Sequence, residues 1–261
     1  MSPARSSVPP PPPPGRDVVL GAADGVRLAG SYWPGRRRGG PAVLLLHGND
    51  ASRAATAGNA AWLAGRGYAV LTIDFRGHGE SAAATHSFGL HESRDARSAL
   101  AWLKRADGGG RAAAIGISLG GAASLIGDEG PLPADALILQ AVYPNIRHAI
   151  RNRIAAFLGA APARLLEPLL SFQARPRLGV WPGQLAPIEA VKRYRGPVLV
   201  IGGAADAYTP PAETRAMFDA AAGPKRLLFV KGADHRATSD VESSAYRAAL
   251  LSFLAASIGS P

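Results

Sequence analysis

Short, mostly apolar runs alternate along this chain with longer stretches of helical spacing. Residues 42–46, 68–75, 112–117, 136–140, 198–202 and 227–231 are such runs, and 42–46 is apolar at every position. A strand without a polar face fits the interior of a parallel sheet covered by helices on both sides. Residues 54–65, 92–104, 119–126, 211–222 and 241–256 read as the intervening helices. In the second of these, Ala96, Leu100 and Leu103 fall on one face. Gly65 and Gly67 stop the first. Residues 18–20 and 26–32 read as two short strands around the turn at Asp24-Gly25. The run 112–117 is poor in β-branched residues and carries a weaker strand signal than the others. Repeated βα units predict an α/β fold with a mostly parallel central sheet flanked by helices.

Two segments break the rhythm. Residues 143–195 hold helical pieces (148–158 and 163–172) and no clear strand, which predicts a small helical cap inserted between two sheet strands. Residues 1–16 contain six consecutive prolines from Pro9. They predict an extended, disordered Pro-rich tail ahead of a single domain over 17–261.

Composition narrows the function. The 261 residues are 47% hydrophobic, enough for one domain with a full core. Cysteine is absent, which excludes disulfides, thiolate metal sites and a cysteine nucleophile. No apolar run is long enough to span a bilayer and no secretory h-region is present, so a cytoplasmic location is expected. The net charge of +10 comes mostly from arginine in an alanine-rich chain. We read it as compositional bias. No basic helix with interleaved aromatics points to nucleic acid.

The chemistry is concentrated in Gly116-Ile117-Ser118-Leu119-Gly120. This G-x-S-x-G pentapeptide follows a predicted strand and opens a predicted helix, the context that exposes a serine hydroxyl on a sharp turn. A hydroxyl needs a base, and the base needs an orienting acid. Asp206 and His235 each follow a late strand, in loops at the C-terminal strand ends where open α/β sheets bind ligands. His47, His78, His86, His91 and His148 lie in other contexts. Of these, His47 at the end of a strand reads as structural. Asp234, the rival acid, is adjacent to His235 and reads as a loop-shaping carboxylate.

With these features in this order, the chain resembles the α/β-hydrolase superfamily, in its esterase, lysophospholipase-like and serine aminopeptidase-like branch. Ser118, Asp206 and His235 match the superfamily's order of nucleophile, acid and base. Leu44-Leu45-Leu46-His47-Gly48-Asn49 resembles its strand and oxyanion loop. Residues 73–81 resemble its D-x-R-G-x-G-x-S loop, in which Asp74 and Arg76 would brace the site mouth. The resemblance implies an oxyanion hole made by the N–H groups of Asn49 and Leu119, and a reaction without metal or organic cofactor. A related loop with Asn after His-Gly serves haloalkane dehalogenases, but those need an aspartate where Ser118 stands. Asp50 departs from the pattern. A carboxylate aimed into the hole would oppose the oxyanion, so Asp50 is expected to turn away, toward an arginine.

The expected reaction is cleavage of a carboxylic ester or related acyl bond through an acyl-enzyme. Thioesterase and peptidase activities remain open, as does a non-enzymatic ligand-binding role, because the triad does not set the bond type. The predicted cap carries nine arginines and lysines against Glu167 and Glu189, interleaved with Ile150, Ile154, Phe157, Leu158, Leu165, Leu166, Leu169, Leu170 and Phe172. The plainer reading packs these apolar side chains onto the domain and leaves the arginines solvated. The sharper one is a cap for an acyl substrate with an anionic or lipid-like character, or for contact with a membrane surface.

Overall fold

The computed structural model describes residues 4–237 and 243–261. Eight strands form one sheet: β2 (Arg16–Gly21), β3 (Arg27–Trp33), β4 (Ala42–Leu46), β5 (Ala69–Ile73), β7 (Ala112–Ile117), β8 (Ala136–Gln140), β9 (Val198–Gly203) and β10 (Lys225–Val230). Their spatial order is β10-β9-β8-β7-β4-β5-β3-β2. Only β3 runs against the rest, pairing antiparallel with both β2 and β5. The expected mostly parallel sheet is therefore present.

The strand alternation builds two cores. Leu44, Leu46, Ala114, Leu137 and Leu139 face one side, where helix α2 (Glu92–Asp107) packs Ala96, Ala99, Leu100 and Leu103. Val43, Leu45, Ala113, Ile115 and Ile138 face the other, against Ala60 and Leu63 of α1 (Ala57–Ala64) and Tyr246, Leu250, Phe253 and Leu254 of α9 (Ser244–Ile258). Both faces of the central strands are thus closed, which explains their lack of polar positions. The alanine-rich β7, despite its weaker sequence signal, occupies the middle of the sheet between β4 and β8. The closing helix was expected from residue 241, but residues 241 and 242 lie outside the described part.

Helix α3 (Leu119–Ala123) follows β7 directly. Between β8 and β9 the chain forms α4 (Ile146–Leu158), α5 (Ala160–Ser171), α6 (Ala174–Leu178) and α7 (Pro187–Val191), with no strand. Buried Glu167 pins α5 to α4. Its carboxylate accepts bonds from Arg147 Nε at 2.8 Å, Arg147 Nη2 at 3.0 Å and Arg151 Nη2 at 3.2 Å. Burial alone would raise its pKa, but the two guanidiniums hold it down at about 2. Helix α8 (Pro211–Ala220) links β9 to β10.

The described part of the N-terminal segment touches the body at several points. Residues Ala4–Arg5 (β1) pair in parallel with His78–Gly79 (β6). Val8 is buried, and its N–H donates to Glu80 Oε1 at 3.2 Å. The Trp33 indole N–H donates to the Pro12 carbonyl at 3.2 Å. Prolines lack an N–H but keep an acceptor carbonyl, so a Pro-rich stretch can still dock on a donor.

Candidate active site

Ser118 sits at the junction of β7 and α3 with φ +49° and ψ −105°. A non-glycine residue held there is strained, by roughly 1–3 kcal/mol. Neighbouring backbone makes the turn possible. A Cβ on Gly120 would lie 2.3 Å from the Leu46 carbonyl oxygen, and one on Gly116 would lie 2.5 Å from the Gly120 carbonyl carbon. Only glycine allows β4, β7 and the start of α3 to approach so closely. The Ser118 N–H donates to Gln140 O at 2.8 Å, and its carbonyl accepts from Ala122 N at 3.0 Å. The turn is thus tied to β8 and to its own helix.

Ser118 lines a cavity of about 620 Å³ together with Asn49 and Leu119. The N–H groups of Asn49 and Leu119 donate to no partner among the described residues. Tyr143, Ile150 and Arg153 contribute to the cavity wall, as do Leu170 and Arg177 from α5 and α6. The described non-glycine residues with positive φ are Asp50, Phe88, Ser118 and Ala141, and the first three all line this cavity. Backbone strain is therefore gathered at one place, as at sites where function imposes geometry.

Asp206 and His235 are brought together from the loops after β9 and β10. His235 Nδ1 lies 2.8 Å from Asp206 Oδ2. A carboxylate can only accept, so Nδ1 carries the proton and Nε2 presents a lone pair. The other oxygen, Oδ1, accepts the N–H groups of Tyr208 and Thr209, each at 2.8 Å. Asp206 is buried, and His235 is partly open. Among the described residues, no hydrogen bond joins Ser118 Oγ to His235. Ring contacts run from Arg153 on the cavity wall to His235. The Arg153 guanidinium lies 5.3 Å from the Tyr208 ring centroid, and that ring meets His235 edge-on at 5.4 Å.

The remaining candidates take structural places. His47 is fully buried, with Nδ1 2.7 Å from Gly48 O and Nε2 accepting Phe75 N–H at 3.1 Å. Burial lowers its pKa to about 3, so it is neutral. Asp74 accepts from the N–H of Arg53 at 2.6 Å and of Glu80 at 2.9 Å, and it is ion-paired with the Arg53 guanidinium. Arg76 bridges Asp95 at 2.6 Å and Asp24 at 2.7 Å. Asp234 accepts the N–H groups of Arg236 and Ala237, each at 2.9 Å, and so shapes its own loop.

Two expectations change. Among the described residues, Asp50 reaches no arginine. Its Oδ2 accepts from Asn49 Nδ2 at 2.7 Å, and the residue lines the cavity. The Asn49 side chain, one residue away at this sharp turn, offers a nearer donor. The cap apolar residues also fail to pack as a group. Phe157, Leu158, Leu165 and Leu169 are 60–77% exposed, and Leu170 and Phe172 are about half exposed. Ile150 and Ile154 do face the cavity. Tyr143, Arg153 and Arg177 also line the cavity, unmarked by any motif in the sequence. The spacing Ile146, Ile150, Ile154 marked one face of α4 and could have pointed to that wall. Nothing local marks Phe88, Arg177 or Tyr208.

Comparison with known proteins agrees with this architecture. Residues 43–248 match the alpha/beta hydrolase family. The chain is 36% identical over 236 residues to Rv2307c, an uncharacterized protein of Mycobacterium tuberculosis (strain ATCC 25618 / H37Rv), covering 89% of this chain and 75% of that protein. The fold is similar to that of the Pyrococcus furiosus esterase Pf2001, with a TM-score of 0.77 and 21% identity over 99% of this chain and 100% of that one. It is also similar to the esterase EaEST from Exiguobacterium antarcticum, with a TM-score of 0.65 and 18% identity over 91% and 98% of the two chains. No described helix is long and apolar enough to cross a membrane. With the match spanning the sheet from β4 through β10 and the insertion within it, the chain belongs to the alpha/beta hydrolase family.

Proposed function

We propose that this chain is a serine hydrolase that cleaves carboxylic esters. The observation that carries the reading is Ser118, strained on a cavity wall beside the unengaged N–H groups of Asn49 and Leu119. In this reading Ser118 Oγ attacks the ester carbonyl and passes its proton to His235 Nε2. Asp206 keeps the proton on Nδ1 and balances the imidazolium charge. The Asn49 and Leu119 N–H groups receive the oxyanion, each worth about 3 kcal/mol. His235 returns the proton to the leaving alkoxide, and water then hydrolyses the acyl-enzyme by the same route. Closing the gap between Ser118 and His235 falls to substrate binding, since catalytic hydrogen bonds often tighten only in the complex. The esterases among the structural neighbours favour an ester over a thioester or amide bond.

The cavity suggests the substrate class. Ile150, Ile154 and Leu170 offer an apolar wall, and Arg153 and Arg177 sit on the same lining. This suits an acyl chain bearing an anionic group. The exposed Phe157, Leu158, Leu165, Leu169 and Trp181 on the same insertion, with arginines between them, favour docking on an anionic lipid surface. A panel of p-nitrophenyl esters of rising chain length, neutral and anionic, tests both parts. We expect turnover that increases with chain length and anionic character and vanishes in Ser118→Ala. No turnover of any ester, thioester or aminoacyl anilide would replace this reading with that of a ligand-binding protein.

A further inference from the structure

The loop that carries Asp206 is tied down on two sides. Thr209 ties it to the sheet. Its N–H donates to Asp206 Oδ1 at 2.8 Å, and its hydroxyl donates to Ala141 O, just past β8, at 3.1 Å. Tyr208 ties the same loop to the insertion between β8 and β9. Its N–H donates to Asp206 Oδ1 at 2.8 Å, and its carbonyl accepts from Asn152 Nδ2 of α4 at 3.1 Å. The same amide nitrogen donates to Glu213 Oε1 of α8 at 2.8 Å, so both of its protons are used. Glu213 Oε1 also lies 2.9 Å from His148 Nδ1. His148 and Asn152 stand four residues apart on α4 and so share a face. That face is clamped onto α8 and onto the residue two places after Asp206.

The Tyr208 ring extends the connection to His235. The Arg153 guanidinium carbon lies 5.3 Å from its centroid, within the range of a cation held by a π system. The ring meets His235 at 5.4 Å between centroids with 70° between the planes, an edge-on geometry that aromatic pairs favour. The hydrogen bond from Nδ1 to Asp206 holds one corner of the imidazole and leaves the ring free to swing about that corner. A second contact is needed to aim Nε2, and among the described residues the aromatic ring that supplies one is Tyr208. Arg153 lines the cavity, whereas Tyr208 is not among the described residues that do.

We propose that Tyr208 is a positioning residue for His235, held in place by Asn152 and Arg153 of α4. The role rests on the proposed reaction, in which His235 is the base. A base displaced by about 1 Å can cost roughly a hundredfold in rate. The helix that bounds the cavity therefore also sets where the base points, through one ring that touches no substrate.

The test compares Tyr208→Leu, Tyr208→Phe and Asn152→Ala in the full chain, with two readouts. The first is steady-state hydrolysis of a p-nitrophenyl ester. In Tyr208→Leu we expect kcat to fall by about tenfold or more while KM stays within about twofold of the parent, since the cavity wall is untouched. Tyr208→Phe keeps the ring and should keep the parent kcat. Asn152→Ala should lower kcat by about threefold or more. The second readout is ¹³C relaxation of the His235 ring, whose order parameter should fall in Tyr208→Leu and Asn152→Ala and hold its parent value in Tyr208→Phe. Relaxation needs no turnover. A parent that cleaves no ester would remove the proposed reaction, and the ring order parameter would still decide whether Tyr208 holds His235. Circular dichroism reports folding, and Asn152→Ala carries both readouts should Tyr208→Leu not fold. A parent kcat in folded Tyr208→Leu, a loss confined to KM, a Phe variant as impaired as the Leu variant, an unchanged ring order parameter, or parent values throughout in Asn152→Ala would overturn the proposal.

Discussion

Asp206 Oδ2 and His235 Nδ1 lie 2.8 Å apart, while Asp206 Oδ1 is held by the N–H groups of Tyr208 and Thr209. The carboxylate is thus fixed from its own loop, and it fixes the imidazole in turn. Replacing Asp206 by Asn would offer an amide N–H to Nδ1 and favour the tautomer that protonates Nε2. We expect kcat on an ester substrate to fall by on the order of 10⁴-fold with the fold intact. Steady-state kinetics alongside circular dichroism checks this. A loss of less than tenfold would remove Asp206 from the mechanism.

Arg53 ties the segment after β4 to the loop after β5. It is buried, bonds Ser31 Oγ at 3.1 Å and Glu80 at 2.6 Å, and is ion-paired with Asp74, which is fully buried. Arg53→Met leaves the Asp74 carboxylate uncompensated and should cost about 3–5 kcal/mol in urea unfolding. Asp17 is half exposed and 3.5 Å from the same guanidinium. Asp17→Asn should cost less than about 1 kcal/mol.

His47 gives the fold a defined acid response. Burial lowers its pKa from 6.5 to about 3. The unfolded chain therefore binds an extra proton between these values, and stability must fall with pH across that window. The His47 contribution is complete above about pH 6.5 and largely spent near pH 3, amounting to on the order of 5 kcal/mol. His47→Gln should be less stable at neutral pH but should show a shallower decline from pH 6.5 to 3 in denaturant melts. An unchanged slope would place the acid sensitivity elsewhere.

The exposed leucines of α5 give the lipid-surface reading its sharpest test. Leu165 and Leu169 are 74% and 65% exposed. Leu165→Ser with Leu169→Ser should weaken cosedimentation with anionic phosphatidylglycerol vesicles by about tenfold or more, since each buried leucine contributes roughly 1.5–3 kcal/mol. Parent protein that stays in solution with such vesicles would remove the lipid surface from the account.

What the sequence revealed follows a physical division. The strands 42–46, 112–117 and 136–140 and the turn at Ser118 are local consequences of apolar runs and paired glycines, and they lie where expected. The Asp206–His235 pair was also legible, because both residues follow late strands. The cavity was not. Asp50, His86, Tyr143 and Arg153 line one cavity from distant stretches of the chain, and no short-range pattern encodes that meeting. The contact of the Pro-rich segment with the body was not legible either, because a bond from the Trp33 indole to the Pro12 carbonyl joins residues far apart in the chain. The exposed face of α5 was not decided by the sequence, because an apolar stripe alone does not say whether its partner lies within the chain or outside it.

The central claim is that Ser118 is the nucleophile. The most direct measurement is labelling of the intact protein with a fluorophosphonate probe, followed by peptide mass spectrometry. The account predicts a single adduct on the peptide containing Ser118, and no labelling of Ser118→Ala. An adduct on another residue, or undiminished labelling of that variant, would contradict it.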